Sequence, residues 1–322
     1  MGIDASAAAG SDAAKSGFFS GRPFAALRIL ATLGIVAGLV YTLSPGELID
    51  TARDADPWML LAALGVSVAV QALVVVKWRV LLRARDVNVR LLPVIRAYCV
   101  GNLLSNVLPT GVGGDVYRVY RIQREADARA ADVTMSVLYE RATGYGAMTI
   151  LAAIGTAFYY GNVVLGLLAL IAGVVAAGLL ALILPRVPLP AVRQDHFIRN
   201  LLAHRRELIA VYRMVVFSLL IQGLNVTTIA LLGNAFGVHI SWWYWAFTTW
   251  LVAITIVAPI TLGGFGVRET GFSALAKRAG ATAAQGASTG FATAVLVILV
   301  NAAGLLCVEI AERLRTVETN TN

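Results

Sequence analysis

Pro109-Thr110-Gly111-Val112-Gly113-Gly114-Asp115-Val116-Tyr117-Arg118 and Pro259-Ile260-Thr261-Leu262-Gly263-Gly264-Phe265-Gly266-Val267-Arg268 are two copies of one pattern. Both fit Pro-x-x-x-Gly-Gly-x-x-x-Arg, and every matched position is offset by 150 residues. Proline lacks a backbone N–H and glycine loses the most backbone entropy in a helix, so each copy reads as a helix break. Each break follows an apolar run and opens a second, shorter one: 93–108 before Val116–Ile122, and 246–257 before 267–279. A helix needs about 20 apolar residues to cross a bilayer, and none of these runs reaches that length. The stretches centred on 93–124 and 243–279 are therefore two re-entrant broken-helix pairs.

Composition places the chain in a membrane. Of its 322 residues 58% are hydrophobic and only 14% charged, with a mean hydropathy of +0.76. A soluble domain carries about 25% charged residues. The net charge of +8 would suggest a nucleic-acid partner in a soluble protein. Here the basic residues fall in short loops between apolar segments, which the positive-inside rule explains, and no nucleic acid is expected. Cys99 and Cys307 lie in apolar runs, and His196, His204 and His239 are scattered. Neither set has ligand spacing, so no metal, no cofactor and no catalytic residue is expected. Gly111-Val112-Gly113-Gly114 lacks the following Gly-Lys-Ser/Thr of a nucleotide loop.

Outward from the breaks, residues 1–22 read as a disordered cytoplasmic tail, 23–316 as one integral-membrane domain and 317–322 as a C-terminal tail. Spans are expected at 24–43, 58–82, 131–160, 163–184, 214–236 and 287–310. Residues 44–57 read as an external loop, and 185–213 as a cytoplasmic connection with a surface helix near 195–211. Lys77, Trp78, Arg79, Arg83 and Arg85 read as a basic and aromatic cytoplasmic boundary, and Trp242-Trp243-Tyr244-Trp245 as an outer aromatic belt. With this topology 21 of the 26 Lys and Arg lie on the cytoplasmic side and four outside, with Arg141 inside a span. Both termini are then cytoplasmic, in an inner or plasma membrane. The first pair enters from the cytoplasm and the second from outside, the arrangement of an inverted repeat. The fold class is an all-α polytopic membrane protein of about six transmembrane helices plus two re-entrant pairs.

The chemistry follows from the breaks. A half-helix starting near Asp115 or Val267 presents free N–H groups and a positive dipole end. Arg118 and Arg268 stand one turn in, and Asp115, Glu140, Arg141 and Glu269 lie at comparable depth. Amide donors plus guanidinium make a phosphate-binding set. The candidate substrate-binding set is Asn106, Pro109, Gly113, Gly114, Asp115, Arg118, Glu140, Arg141, Pro259, Gly263, Gly264, Arg268 and Glu269. Arg118, Arg141 and Arg268 would contact an anionic headgroup, and the carboxylates would hold or release them. A structural reading stands beside this one: Arg118 pairs with Asp115 at i, i+3, Arg268 and Glu269 pin the fold, and the glycines serve close packing.

Asn102, the run Asn106-Val107-Leu108-Pro109, Gly113–Arg118, Glu140-Arg141 and Pro259–Glu269 together resemble the lysylphosphatidylglycerol synthase transmembrane family, a flippase-like family. The resemblance covers nearly all of residues 24–315. Such domains form the membrane half of the multiple peptide resistance factor, and some stand-alone members, which share no common proven substrate, are linked to polyprenol-lipid or hopanoid pathways. The resemblance implies movement of an anionic or aminoacylated phospholipid, or a polyprenol-linked lipid, between leaflets. The chain ends at Asn322 without the soluble aminoacyl-transferase part of the full-length synthase, so lysyl transfer is not expected. Two alternatives are an accessory scaffold subunit of a lipid or envelope pathway and a membrane enzyme acting on a lipid-linked substrate. Carboxylates placed beside arginines disfavour the enzyme. Candidate partners are membrane lipids, a second copy of the chain or a separate lipid-modifying enzyme. Arg118→Ala or Arg268→Ala is expected to abolish lipid movement with expression intact.

Overall fold

The computed structural model describes residues 45–107, 113–183, 205–257, 261 and 264–321, with side-chain surroundings given over 46–106, 113–175, 214–256, 261 and 264–314. The expected tail and first span at 24–43, most of the connection at 185–213, and Pro109, Pro259 and Gly263 lie outside them. The described residues form ten helices and no strand. They are α1 Pro45–Arg53, α2 Pro57–Arg83, α3 Leu91–Val107, α4 Gly113–Ala126, α5 Ala130–Tyr160, α6 Val163–Ile183, α7 Arg205–Ala235, α8 Trp242–Val257, α9 Val267–Arg278 and α10 Ala283–Thr321.

Helix lengths sort the elements. Pro57–Arg83, Met214–Ala235 and Ala283–Leu314 are each long and apolar enough to cross a bilayer. At 1.5 Å per residue the 31 residues of α5 run about 46 Å, although Glu140 and Arg141 interrupt its apolar face. The exposed face of α6, including Val164, Leu168, Ile171 and Val175, is wholly apolar, as a lipid-facing surface must be. The expected external loop at 44–57 is in part a helix, α1. Pro45 fits its first turn, with Glu47 near its start and Arg53 near its end to complement the dipole.

The short arms fold back on each other. In the first hairpin, a Cβ on Gly114 of α4 would meet the Gly101 carbonyl and Ser105 Oγ of α3. One turn further along α4, Arg118 lies over Tyr98, and Ile122 shares a core with Val94. Rising numbers on one arm meet falling numbers on the other, so the pair is antiparallel. The second hairpin repeats this. Gly264 faces Ile256 and Gly271 faces Val252. Trp245 packs on Phe272 with ring centroids 6.0 Å apart, and Tyr244 Oη donates to the Leu275 carbonyl at 2.9 Å. Gly264 and Gly266 adopt φ of 77° and 83°, which lets this tip turn within a few residues.

The two hairpins open at opposite ends of the bundle. The end of α2, the start of α3, the end of α4 and the start of α5 share one core of Trp78, Leu82, Val87, Val94, Ile122, Val133 and neighbours. The far end of α10 joins them through Arg96, which is 2.7 Å from both Glu309 and Glu312. Arg83, Arg85, Arg90, Arg121, Arg124 and Arg129 make this the basic end. The end of α7, the start of α8, the end of α9 and the loop before α10 share the second core. The end of α5 meets them through Phe158, stacked on Trp243 at 4.8 Å, and Tyr159, at 4.6 Å from Tyr244. The start of α2 lies here too, since Asp56 N–H donates to Ala235 O. Thus α2 and α7 run in opposite senses, each followed by a hairpin opening at the end it has reached.

The halves correspond closely. Val87 N–H donates to Leu82 O as Val238 N–H does to Gly233 O, a shift of 151. Val75, Val89 and Val94 of the first core match Val226, Ile240 and Trp245 of the second at that same shift. Ile122 and Ala126 match Phe272 and Ala276 at 150. The second half is therefore one residue shorter than the first between the α3 and α4 positions of the repeat.

Candidate functional site

Five ionisable groups from α2, α4 and α5 converge near the tip of the first hairpin. The Arg118 side chain is 1% exposed. Its Nη2 donates to Glu140 Oε2 at 2.6 Å and its Nη1 to Asp115 Oδ1 at 3.2 Å. Trp78 and Tyr98 cover the guanidinium, with ring centroids 4.0 and 4.4 Å away. Such contacts contribute about 2 kcal/mol or more when desolvated. Gly101 leaves room for the stem, because a Cβ there would lie 2.6 Å from Arg118 Cγ. Trp78 is itself fixed by donating from Nε1 to Ser136 Oγ at 3.1 Å. Arg118 thus serves as the keystone of the hairpin rather than as a group presented to a ligand. The i, i+3 pair with Asp115 expected from spacing is present, but Glu140 makes the shorter contact.

Arg141 is the accessible end of the same chain of charges. Its Nε donates to Asp115 Oδ2 and its Nη2 to Asp115 Oδ1, both at 3.1 Å. Its side chain is 40% exposed. Lys77, 3% exposed, donates from Nζ to the Glu140 carbonyl at 3.1 Å. The cluster therefore carries three formal cations, Lys77, Arg118 and Arg141, against two carboxylates, Asp115 and Glu140. Charge at membrane depth costs about 2.5–3.5 kcal/mol per group on insertion scales, so an unbalanced cation there is a costly feature to keep.

The remaining expected residues fall elsewhere. Asn106 donates to the Asn102 carbonyl within α3 at 2.9 Å. Asn102 and Gln71 both donate to Asn301 Oδ1, joining α3 and α2 to α10. Gly113 and Gly114 start α4. Glu269, 6% exposed, accepts from Gly266 N–H at 2.5 Å and so closes the start of α9. Arg268 lies over the Phe265 ring at 6.0 Å. In this half Gly286 and Gly290 bring α10 against α9, and a Cβ on Gly290 would lie 3.0 Å from Glu269 Cα. The positions 150 earlier are Ser136 and Glu140. At the position of Glu140 in the charged cluster, the second half thus has a glycine in helix contact.

A cavity of about 140 Å³ lies among α2, α5, α7, α8 and α10. Its polar lining is Ser67, Gln222, Asn225, Thr228, Thr249 and Thr293, with Met148, Ile229, Leu296 and Val297 as apolar walls. Its polar wall is thus made of amides and hydroxyls, with no arginine among the lining residues.

Two boundary readings change. Lys77 and Trp78 are 3% and 0% exposed and turn inward onto the cluster instead of outward from the molecule. In the aromatic run, Tyr244 and Trp245 are 3% and 2% exposed and belong to the core, because successive helical residues turn about 100° apart. Tyr98 drew no attention from sequence alone. The repeat shift of 151 pairs Lys77, Trp78 and Tyr98 with Thr228, Ile229 and Thr249, and that contrast is the signal that would have found them.

Helices long enough to cross a bilayer, two hairpins inserted from opposite ends and an ionised cluster packed among them define a multi-pass helical membrane protein. The particular family is equally plain: the chain belongs to the one described as lysylphosphatidylglycerol synthase TM region, whose model matches residues 26–304. The chain is also 28% identical over 153 residues to a UPF0104 membrane protein of Methanothermobacter thermautotrophicus. That alignment covers 46% of this chain and 45% of the relative, so the match spans less than half of the relative's length. No solved structure matches the chain.

Proposed function

We propose that the protein carries an anionic lipid between the leaflets, its phosphate held at Arg141. The observation that carries this reading is the surplus cation of the Lys77–Glu140–Arg118–Asp115–Arg141 cluster, whose most exposed cationic side chain is that of Arg141. Asp115 fixes the Nε and Nη2 side of that guanidinium, so its remaining donors are oriented for a phosphate oxygen. Hairpins opening at opposite ends support access from both leaflets, as in inverted-repeat transporters. The family name points to lipid chemistry in the same direction. Each carboxylate of the cluster is committed to a guanidinium, which favours a carrier over an acid–base enzyme. The positive-inside rule assigns the basic end to the cytoplasm.

The test is movement of labelled phosphatidylglycerol across vesicles holding the purified protein. Arg141→Gln is expected to slow it at least about ten-fold, the scale of one charge-assisted hydrogen bond, with thermal stability near wild type. Arg141→Lys is expected to retain part of the rate. Wild-type vesicles no faster than protein-free ones, or an unchanged rate in Arg141→Gln, would contradict the assignment.

A further inference from the structure

We infer that the cavity between the halves is a subsite for the neutral, hydroxyl-bearing portion of the lipid headgroup; this rests on the lipid-carrier reading. The repeat itself is the starting point. Thr228, Ile229 and Thr249 of the cavity wall are the counterparts, at a shift of 151, of Lys77, Trp78 and Tyr98. In the first half Trp78 and Tyr98 cover the Arg118 guanidinium and Lys77 reaches the Glu140 carbonyl beside it. In the second half smaller residues leave about 140 Å³ open. The cavity is therefore no default of the fold, since the equivalent place is filled.

Its chemistry selects a neutral group. None of its lining residues is charged. Asp115 and Glu140, which balance Arg118 in the first half, have Phe265 and Gly290 as counterparts at a shift of 150. A cation or an anion placed here would be desolvated without a counter-ion. Hydroxyls find both donors and acceptors. Asn225 Nδ2 donates to Gln222 Oε1 at 3.2 Å, and Gln222 Nε2 donates to the Gly144 carbonyl at 3.3 Å, so both amides are held in place. Thr249, 9% exposed, keeps a buried Oγ1 with no hydrogen-bond partner among the described residues. A buried hydroxyl left in this state is the exception in folded proteins and marks a place where something else completes the bond.

Its position suits the same ligand. Met148, in the cavity wall, lies two turns beyond Arg141 on one face of α5, about 10 Å along the axis. Gly144, which accepts from Gln222, lies between them. A phosphate at Arg141 then directs the outer end of its headgroup along α5 into the cavity.

The test compares phosphatidylglycerol, whose headgroup ends in a diol, with phosphatidate, which has phosphate alone, in vesicles holding wild type, Thr249→Val or Thr249→Phe. Thr249→Val keeps shape and breaks no internal bond, and Thr249→Phe fills the space. Wild type is expected to move phosphatidylglycerol faster than phosphatidate. That ratio is expected to fall roughly five-fold in Thr249→Val, as for one lost hydrogen bond, and to vanish in Thr249→Phe. A wild-type ratio of one, or a ratio unmoved by both substitutions, overturns the subsite while leaving the carrier reading intact. If wild type moves neither lipid, the carrier reading fails, and native mass spectrometry of retained phosphatidylglycerol then decides the cavity. Lower retention in Thr249→Phe than in wild type upholds it, and equal retention means a cavity that holds only water.

Discussion

Arg118→Ala is expected to yield a protein that barely folds. The substitution removes a guanidinium that is 1% exposed, paired with two carboxylates and covered by two aromatic rings. Glu140 would be left as a buried carboxylate facing a void, while Asp115 would keep only Arg141. Stranding one member of a buried pair costs about 3–5 kcal/mol, before the lost ring contacts are counted. This departs from the sequence expectation of intact expression, and enclosure is the reason. Thermal unfolding in detergent measures it, as a large fall in midpoint together with poor yield. Arg118→Lys is expected to fall between, because an ammonium cannot bridge both carboxylates while lying flat between Trp78 and Tyr98. The double change Arg118→Met with Glu140→Met is expected to recover much of the loss, since removing both charges leaves neither stranded. A single Arg118→Ala variant as stable as wild type would remove the keystone role.

Gly114→Val is the second large effect. A Cβ at this position would fall on the Gly101 carbonyl and on Ser105 Oγ across the hairpin. Backbone cannot rotate away as a side chain can, so α3 and α4 would have to separate. Overpacking costs typically about 1–3 kcal/mol where neighbours can shift, and more is expected here. Separation would also withdraw Arg118 from Tyr98, coupling this change to the first one. Gly146→Ala is the matched control: it lies within α5 with nothing within 4 Å of its Cβ position. It should be neutral or stabilising by up to about 1 kcal/mol. Equal unfolding midpoints for Gly114→Val and Gly146→Ala would show that the hairpin does not close on Gly114.

The hairpins were legible because their signal is local. Two Pro/Gly-Gly breaks and arms too short to span a bilayer are enough to imply chains that turn back. The long α5 was legible for the same reason, as an unbroken helical pattern running to Phe158-Tyr159-Tyr160. What surrounds Arg118 was not legible, because it is assembled from afar. Trp78 comes from α2 and Tyr98 from α3, and a Lys-Trp pair near a helix end reads by composition as a membrane boundary. Only register distinguishes a Trp that turns inward from one that faces headgroups, and register depends on the tertiary partner. The same limit explains Tyr244 and Trp245. The one-residue change in repeat shift, from 151 to 150, also hid the correspondence between the aromatic cage of one half and the cavity of the other. The motif alone gives 150, which pairs Tyr98 with Thr248 instead of Thr249.

Site-directed labelling tests the inverted hairpins most directly. With Cys99 and Cys307 changed to serine, single cysteines at Arg124 and Lys277 mark the exposed open ends of the first and second hairpins. A membrane-impermeant maleimide applied to oriented vesicles should reach one of them from outside and the other only after permeabilisation. Labelling of both positions from the same side would contradict hairpins that enter from opposite faces, and with it the two-sided path for a lipid.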